Sequence, residues 1–250
     1  MSTPNNTLRS LIQYLDLASL KLKLILVGLY SLGMYSLYLY TSDDFMIWIG
    51  EEDCLIEYLT AFFFISTSAM ALRMFVKTKI IWFGLLAIVF FVGFGEEISW
   101  GQRLFGYSTP ETVNSQNIQG EFNLHNLEIL DSKDFSGSEK SGWRKFTSVQ
   151  FLFNIFWFSY GILVPLAFFF IVFLKNLMNK FKLPVPALAL GICFLIDWLI
   201  FRVSKSFLLM PGKSPHYYFT MNEMFESCTA LIFMVILWEF TVRKSAQPSS

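Results

Sequence analysis

The run Gly95-Glu96-Glu97-Ile98-Ser99-Trp100-Gly101-Gln102-Arg103 sets two carboxylates, an indole, an amide and a guanidinium directly after Ile80 to Phe94, which carries no charge. Charge at the edge of an apolar slab costs roughly 2.5–3.5 kcal/mol per residue on insertion scales, so it is expected where it is used. Carboxylates in such surroundings can trade protons with a substrate or hold a cation. Neighbours on a helix point about 100° apart. One of Glu96 and Glu97 is therefore expected to face a shared site, with Arg103 a partner for the other.

Two further acidic pairs stand at helical spacing. Asp53 and Glu57 are four apart, and Glu223 and Glu226 three apart, so each pair shares a helix face. Like charges this close repel, which favours a retained proton or a bridging cation. Thr60 and Thr229 continue the same faces as hydroxyl donors. Acidic residues also serve as plain helix N-terminal caps, which accounts for Asp53 and Glu223 better than for Glu57 and Glu226, a turn deeper among Phe and Leu.

The third run is Asn117-Ile-Gln119-Gly120-Glu121-Phe-Asn123-Leu-His125-Asn126. Glu121 and His125 join Glu57, Glu96, Glu97 and Glu226 as candidates for general acid/base work. Asp53, Trp100, Gln102, Arg103, Asn123, Asn126 and Glu223 are candidates for holding substrate. His with carboxylates is also compatible with a divalent metal, for which Glu57, Glu97, Glu121, His125 and Glu226 are the candidate ligands. Neither ExxH nor HExxH spacing is present. The bland readings stay open: Trp100 as an interfacial anchor, the amides as a hydrogen-bonded plug, His216 as an interfacial residue. Cys54, Cys193 and Cys228 form no ligand spacing and read as buried small hydrophobes.

These residues need elements to position them. Hydrophobic residues make up 54% of the chain and aromatics 18%, and the mean hydropathy is +0.51, too apolar for one soluble core. Formal net charge is zero, so no global field attracts nucleic acid. The expected fold is all-α: one polytopic transmembrane bundle over residues 1–250. Six apolar runs suit helices that cross a bilayer: Leu24–Tyr40, Cys54–Met74, Ile80–Gly95, Phe146–Leu174, Pro184–Val203 and Tyr217–Val242. Pro165 predicts a kink in the fourth. Residues 1–23 read as an interfacial segment, 96–145 as a long external loop between the third and fourth helices, and 243–250 as a disordered tail. Lys and Arg are in excess on the side of both termini, which puts the termini in the cytoplasm of a cell (inner) membrane and the acidic residues at the outer leaflet. A short echo, Glu57-Tyr-Leu-Thr60-Ala61 against Glu226-Ser-Cys-Thr229-Ala230, suggests duplicated halves or shared helix-start chemistry.

Gly95 to Arg103, Thr109-Pro-Glu111 and Asn117 to Asn126, with the Glu52-Asp53-x-x-x-Glu57 opening of the second run, resemble a family of bacterial multi-pass membrane proteins of uncharacterised activity. The resemblance spans roughly residues 50–130 and implies an envelope protein without implying a mechanism. CAAX-type intramembrane glutamate proteases carry Glu-Glu-x-x-x-Arg, but Gly101 stands here where that Arg would be. Alkaline ceramidase-like hydrolases ligate zinc with three histidines, and this chain has two.

The function expected is therefore a membrane-embedded hydrolase or transferase acting on a lipid-linked or other small envelope substrate in the bilayer. A proton- or cation-coupled transporter, or an assembly subunit of a membrane complex, is the alternative. The inner halves of the helices are almost wholly apolar, with Ser66, Thr67 and Ser68 the main exceptions, which disfavours a path through the membrane.

Overall fold

A computed structural model describes residues 17–50, 55–207 and 215–245. Expectations for Asp53, Cys54, residues 1–16 and residues 246–250 lie outside the described residues, as do the side chains of Arg103 and His216. Among the described residues the fold is all-helical, with no strand beyond two isolated bridges. The long elements are α1 (Leu17–Tyr40), α2 (Asp43–Gly50), α3 (Leu55–Thr78), α4 (Ile81–Glu97), α5 (Val149–Phe158), α6 (Val164–Phe170), α7 (Val172–Lys180), α8 (Leu188–Phe207) and α9 (Pro215–Ser245).

By length and composition, four stretches among the described residues can cross a membrane: Leu20–Tyr40, Asp44–Thr78 (which contains α3), Val149–Phe170 and Phe219–Val242. The expected six become four by this measure. Of the other two runs, α4 has only 17 residues, and α8 carries Asp197, Arg202 and Lys205 within its 20.

Around α9 the bundle closes. Of its apolar window 72% is buried, against 28% for Leu20–Tyr40 and for Val149–Phe170. Phe233 shows why. Its ring lies 5.0 Å from Phe90 of α4, 5.2 Å from Phe156 of α5 and 4.9 Å from Phe194 of α8. One α9 side chain thus ties three helices through one stacked and two tilted aromatic contacts. On its other flank α9 meets α1, where Tyr30 and Ser227 share a hydrogen bond of 2.6 Å and Lys23 pairs with Glu239, both buried. The sequence pattern places Lys23 in an interfacial segment. It belongs instead to α1, and the buried carboxylate is what allows an ammonium to sit there. The expected tail is likewise shortened, because α9 runs to Ser245.

Two backbone departures replace the single kink expected at Pro165. Residues Ser159–Leu163 form a π turn, and Pro165 opens the helix after it. A proline lacks the N–H that a regular ladder needs, and the wide turn removes that demand. The helix then breaks at Ile171, whose φ of −116° and ψ of 99° are extended.

Candidate functional site

Helix α4 ends where the chemistry starts. Ser99, Trp100 and Gly101 take φ of 44°, 53° and 80°, three left-handed residues in succession. The third is glycine, which takes this conformation without strain; the first two hold it because their side chains are bonded. The Trp100 indole folds back over the helix and donates to Glu96 Oε1 at 2.7 Å. A Cβ on residue 95 would lie 2.8 Å from the indole, so Gly95 is what admits the ring.

The connection from Gln102 to Ser148 then returns over this helix end. Glu96 Oε2 accepts the backbone N–H of Leu124 at 2.6 Å and that of His125 at 2.8 Å, and His125 Nδ1 lies 3.2 Å away. Glu121 Oε2 accepts from Ser99 Oγ at 3.0 Å and from Asn123 Nδ2 at 2.8 Å. Gln102 is used at both ends: its NH₂ donates to Thr109 Oγ1 at 2.8 Å and its carbonyl accepts from the Phe122 N–H at 2.7 Å. Asn117 Oδ1 accepts from the N–H groups of Gln119 and Glu121, while its NH₂ donates to Asn123. Asn126 donates to Gln119. Asn117, Asn123 and Asn126 are all buried, and Gly120 turns the chain at a φ of 76°. These two strings form a clasp that fixes an irregular loop onto a helix end.

Beneath the clasp lies a cavity of about 790 Å³. Glu57 of α3, Glu96 and Glu97 of α4, Glu223 and Glu226 of α9, and Glu121, His125 and Asn126 of the loop all line it. Glu97 thus shares the cavity with the carboxylates of Glu57, Glu223 and Glu226. The deeper wall is Phe64, Phe90, Phe153 and Phe156. His125 is held above its ordinary pKa: burial opposes the imidazolium, and the Glu96 carboxylate outweighs it.

The helical 100° separation thus sorts the two adjacent glutamates by role. Glu96, expected to be catalytic, has its acceptors filled by Trp100, Leu124 and His125, and Glu97 is left with the other carboxylates. Trp100, Gln102 and Asn123, expected against substrate, are not among the lining residues, because their polar atoms are engaged within the clasp. Asn126 and Glu223 do line the cavity. Thr60 and Thr229 do not: Thr60 donates to Ile56 of its own helix at 2.9 Å, and both are buried in the bundle.

The metal candidates share the cavity without forming a ligand group. Among the described residues no three of His, Cys, Asp and Glu are grouped as metal ligands. Two of the five, Glu121 and His125, are drawn off by Ser99, Asn123 and Glu96. Sequence reasoning passed over Gln150 and Asn222, which also line the cavity. For Gln150 the signal is an amide set at the start of the apolar fourth run, with Asn154 one turn on. The echo between Glu57 and Glu226 falls on neighbouring helices, α3 and α9, which pack together along their length.

Compared with known protein families, curated proteins and solved structures, the chain matches none.

Proposed function

We propose that this protein is a membrane-embedded hydrolase or transferase acting on a lipid-linked or envelope substrate at the outer leaflet of the cell (inner) membrane. On this reading α4 and α8 also cross the bilayer, both termini are cytoplasmic, and the Gln102–Ser148 connection is external. The observation that carries the proposal is one cavity in which carboxylates from three helices and an imidazole from a loop share a wall with phenylalanines.

Carboxylates confined together do not all ionise. One that keeps its proton is a general acid, and an ionised neighbour is a general base. Glu97 and Glu226 take these roles, because both line the cavity and neither is committed to the clasp. Glu57 and Glu223 modulate them, His125 stands at the loop side, and Glu96 positions rather than reacts. The motif resemblance is, on this reading, a resemblance of the clasp and of the cavity floor it covers.

Polar groups further along α3 do not extend the cavity into a path. Ser68 donates to the Ala87 carbonyl at 2.8 Å and Thr67 to Phe63 at 2.6 Å. This favours chemistry at one leaflet over transport.

The test is turnover of lipid-linked envelope precursors by the protein in nanodiscs, followed by mass spectrometry. Glu97→Gln and Glu226→Gln should each abolish turnover and leave thermal stability within about 1 kcal/mol of the parent, as for most non-disruptive changes. Activity that survives both substitutions, or loss of fold in both, contradicts the assignment and supports a structural subunit.

A further inference from the structure

The cavity lining has two characters. The loop contributes mostly polar residues, among them Gln119, Glu121, His125 and Asn126. Toward the outside of the bundle the cavity is bordered by Val89, Val149 and Leu152, which are 48%, 37% and 50% exposed. Val89 on α4 with Val149 and Leu152 on α5 would form a lateral mouth toward lipid. Behind that mouth the phenylalanine wall is continuous: Phe64 stands 6.0 Å from Phe90 and 6.5 Å from Phe153, and Phe90 is 6.1 Å from Phe156. Such a surface offers nothing to hydrogen-bond and suits an alkyl chain.

At the polar end charge decides. The described lining holds seven carboxylates against the ammonium of Lys133 and the imidazole of His125. That imidazole is already engaged with Glu96. A phosphate placed near Glu97 would meet Glu57, Glu223 and Glu226 and no described cation among them. Hydroxyl or amine groups would instead donate to those carboxylates.

We propose that the ligand is a single amphiphile that enters sideways from the bilayer, lays its chain along Phe64, Phe90, Phe153 and Phe156, and presents to Glu97 and Glu226 a donor-rich head without net negative charge. This rests on the reading of the cavity as a substrate site and adds the charge class of the substrate.

Three probes with one chain and different heads test it: hexadecyl glucoside, hexadecylamine and hexadecyl phosphate, titrated into the protein in nanodiscs of uncharged lipid and read by native mass spectrometry. The glucoside or the amine should bind at least tenfold more tightly than the phosphate. Glu97→Gln with Glu226→Gln should shrink that ratio to threefold or less, and Glu223→Gln alone should reduce it if the double variant does not fold. Phe153→Asp should weaken all three probes. Phosphate binding as tightly as the others, an unchanged ratio in the Gln variants, or no binding by any probe would overturn the proposal. The outcomes separate from those of the catalytic reading: the preference without turnover sinks the enzyme and keeps this site, whereas turnover of an anionic-headed substrate keeps the enzyme and sinks this inference.

Discussion

Trp100 Nε1 donates to Glu96 Oε1 at 2.7 Å, although the backbone between them has already turned left-handed. A regular helix would also place residues four apart near each other, but here the indole reaches the carboxylate by lying across Gly95. The bond fixes one oxygen of Glu96 and leaves the other to collect the loop at Leu124 and His125.

That geometry makes Gly95 as important as the carboxylate. Gly95→Ala would bring a methyl 2.8 Å from the ring, and overpacking of this kind costs about 1–3 kcal/mol. Combining it with Trp100→Phe should cost less than the two changes added, because the clash is relieved by the same substitution. Thermal unfolding of the four proteins in detergent reads the coupling. Strict additivity would show that the ring does not lie over residue 95.

Removing the carboxylate should release the loop. Glu96→Ala orphans the Leu124 and His125 amides and the indole N–H together, and hydrogen bonds to charged groups contribute about 1.5–3 kcal/mol each. Limited proteolysis should then cut between residues 110 and 140 at least tenfold faster than in the parent. An unchanged cleavage rate would mean that Glu96 is not the clasp.

The clasp should also loosen with pH. His125 has a pKa raised above its ordinary value by Glu96, so its pairing contributes fully below about pH 6.5 and is lost as pH rises through the raised value. The imidazole side chain is 40% exposed, and solvent keeps such a pair to about 1 kcal/mol or less. Loop proteolysis should therefore quicken modestly from pH 6 to pH 9, and His125→Gln should flatten the profile. A profile that survives that substitution would assign the titration elsewhere.

On the opposite side of the bundle, Lys23 and Glu239 are 5% and 2% exposed. Glu239→Gln leaves a buried ammonium without its counter-charge and should cost about 3–5 kcal/mol, whereas Lys23→Met with Glu239→Leu should be near neutral. Unfolding in mild denaturant compares them. A single variant as stable as the parent would place the ammonium in water.

Gly191 and Gly161 carry a fifth prediction. A Cβ on Gly191 would lie 1.9 Å from the carbonyl oxygen of Gly161, so α8 meets the π turn backbone to backbone. Gly191→Ala must push the helices apart, and it should cost at least as much as Gly95→Ala. Equal stability to the parent would rule out the close crossing.

The sequence by itself determined that this chain is a helical bundle built for lipid, because long uncharged runs have no other way to satisfy their backbone. It also marked Glu57, Glu97 and Glu226, since a carboxylate among phenylalanines is costly wherever the helix goes. What it could not determine was division of labour. Glu96 and Glu97 are chemically the same, and only the returning loop, arriving from residues 124 and 125, makes one a clasp and leaves the other in the cavity. Gln102 and Asn123 read as ligand binders because amides in a row have capacity to bind; their partners lie within the loop itself, Thr109 and the Phe122 N–H for Gln102 and the Asn117 and Glu121 side chains for Asn123, a matter of turn geometry. The Gly161–Gly191 contact carries no spacing signal either, since its two halves belong to different helices. Cost is a local property legible in a string of residues, whereas who satisfies that cost depends on groups far along the chain, and only folding brings those together.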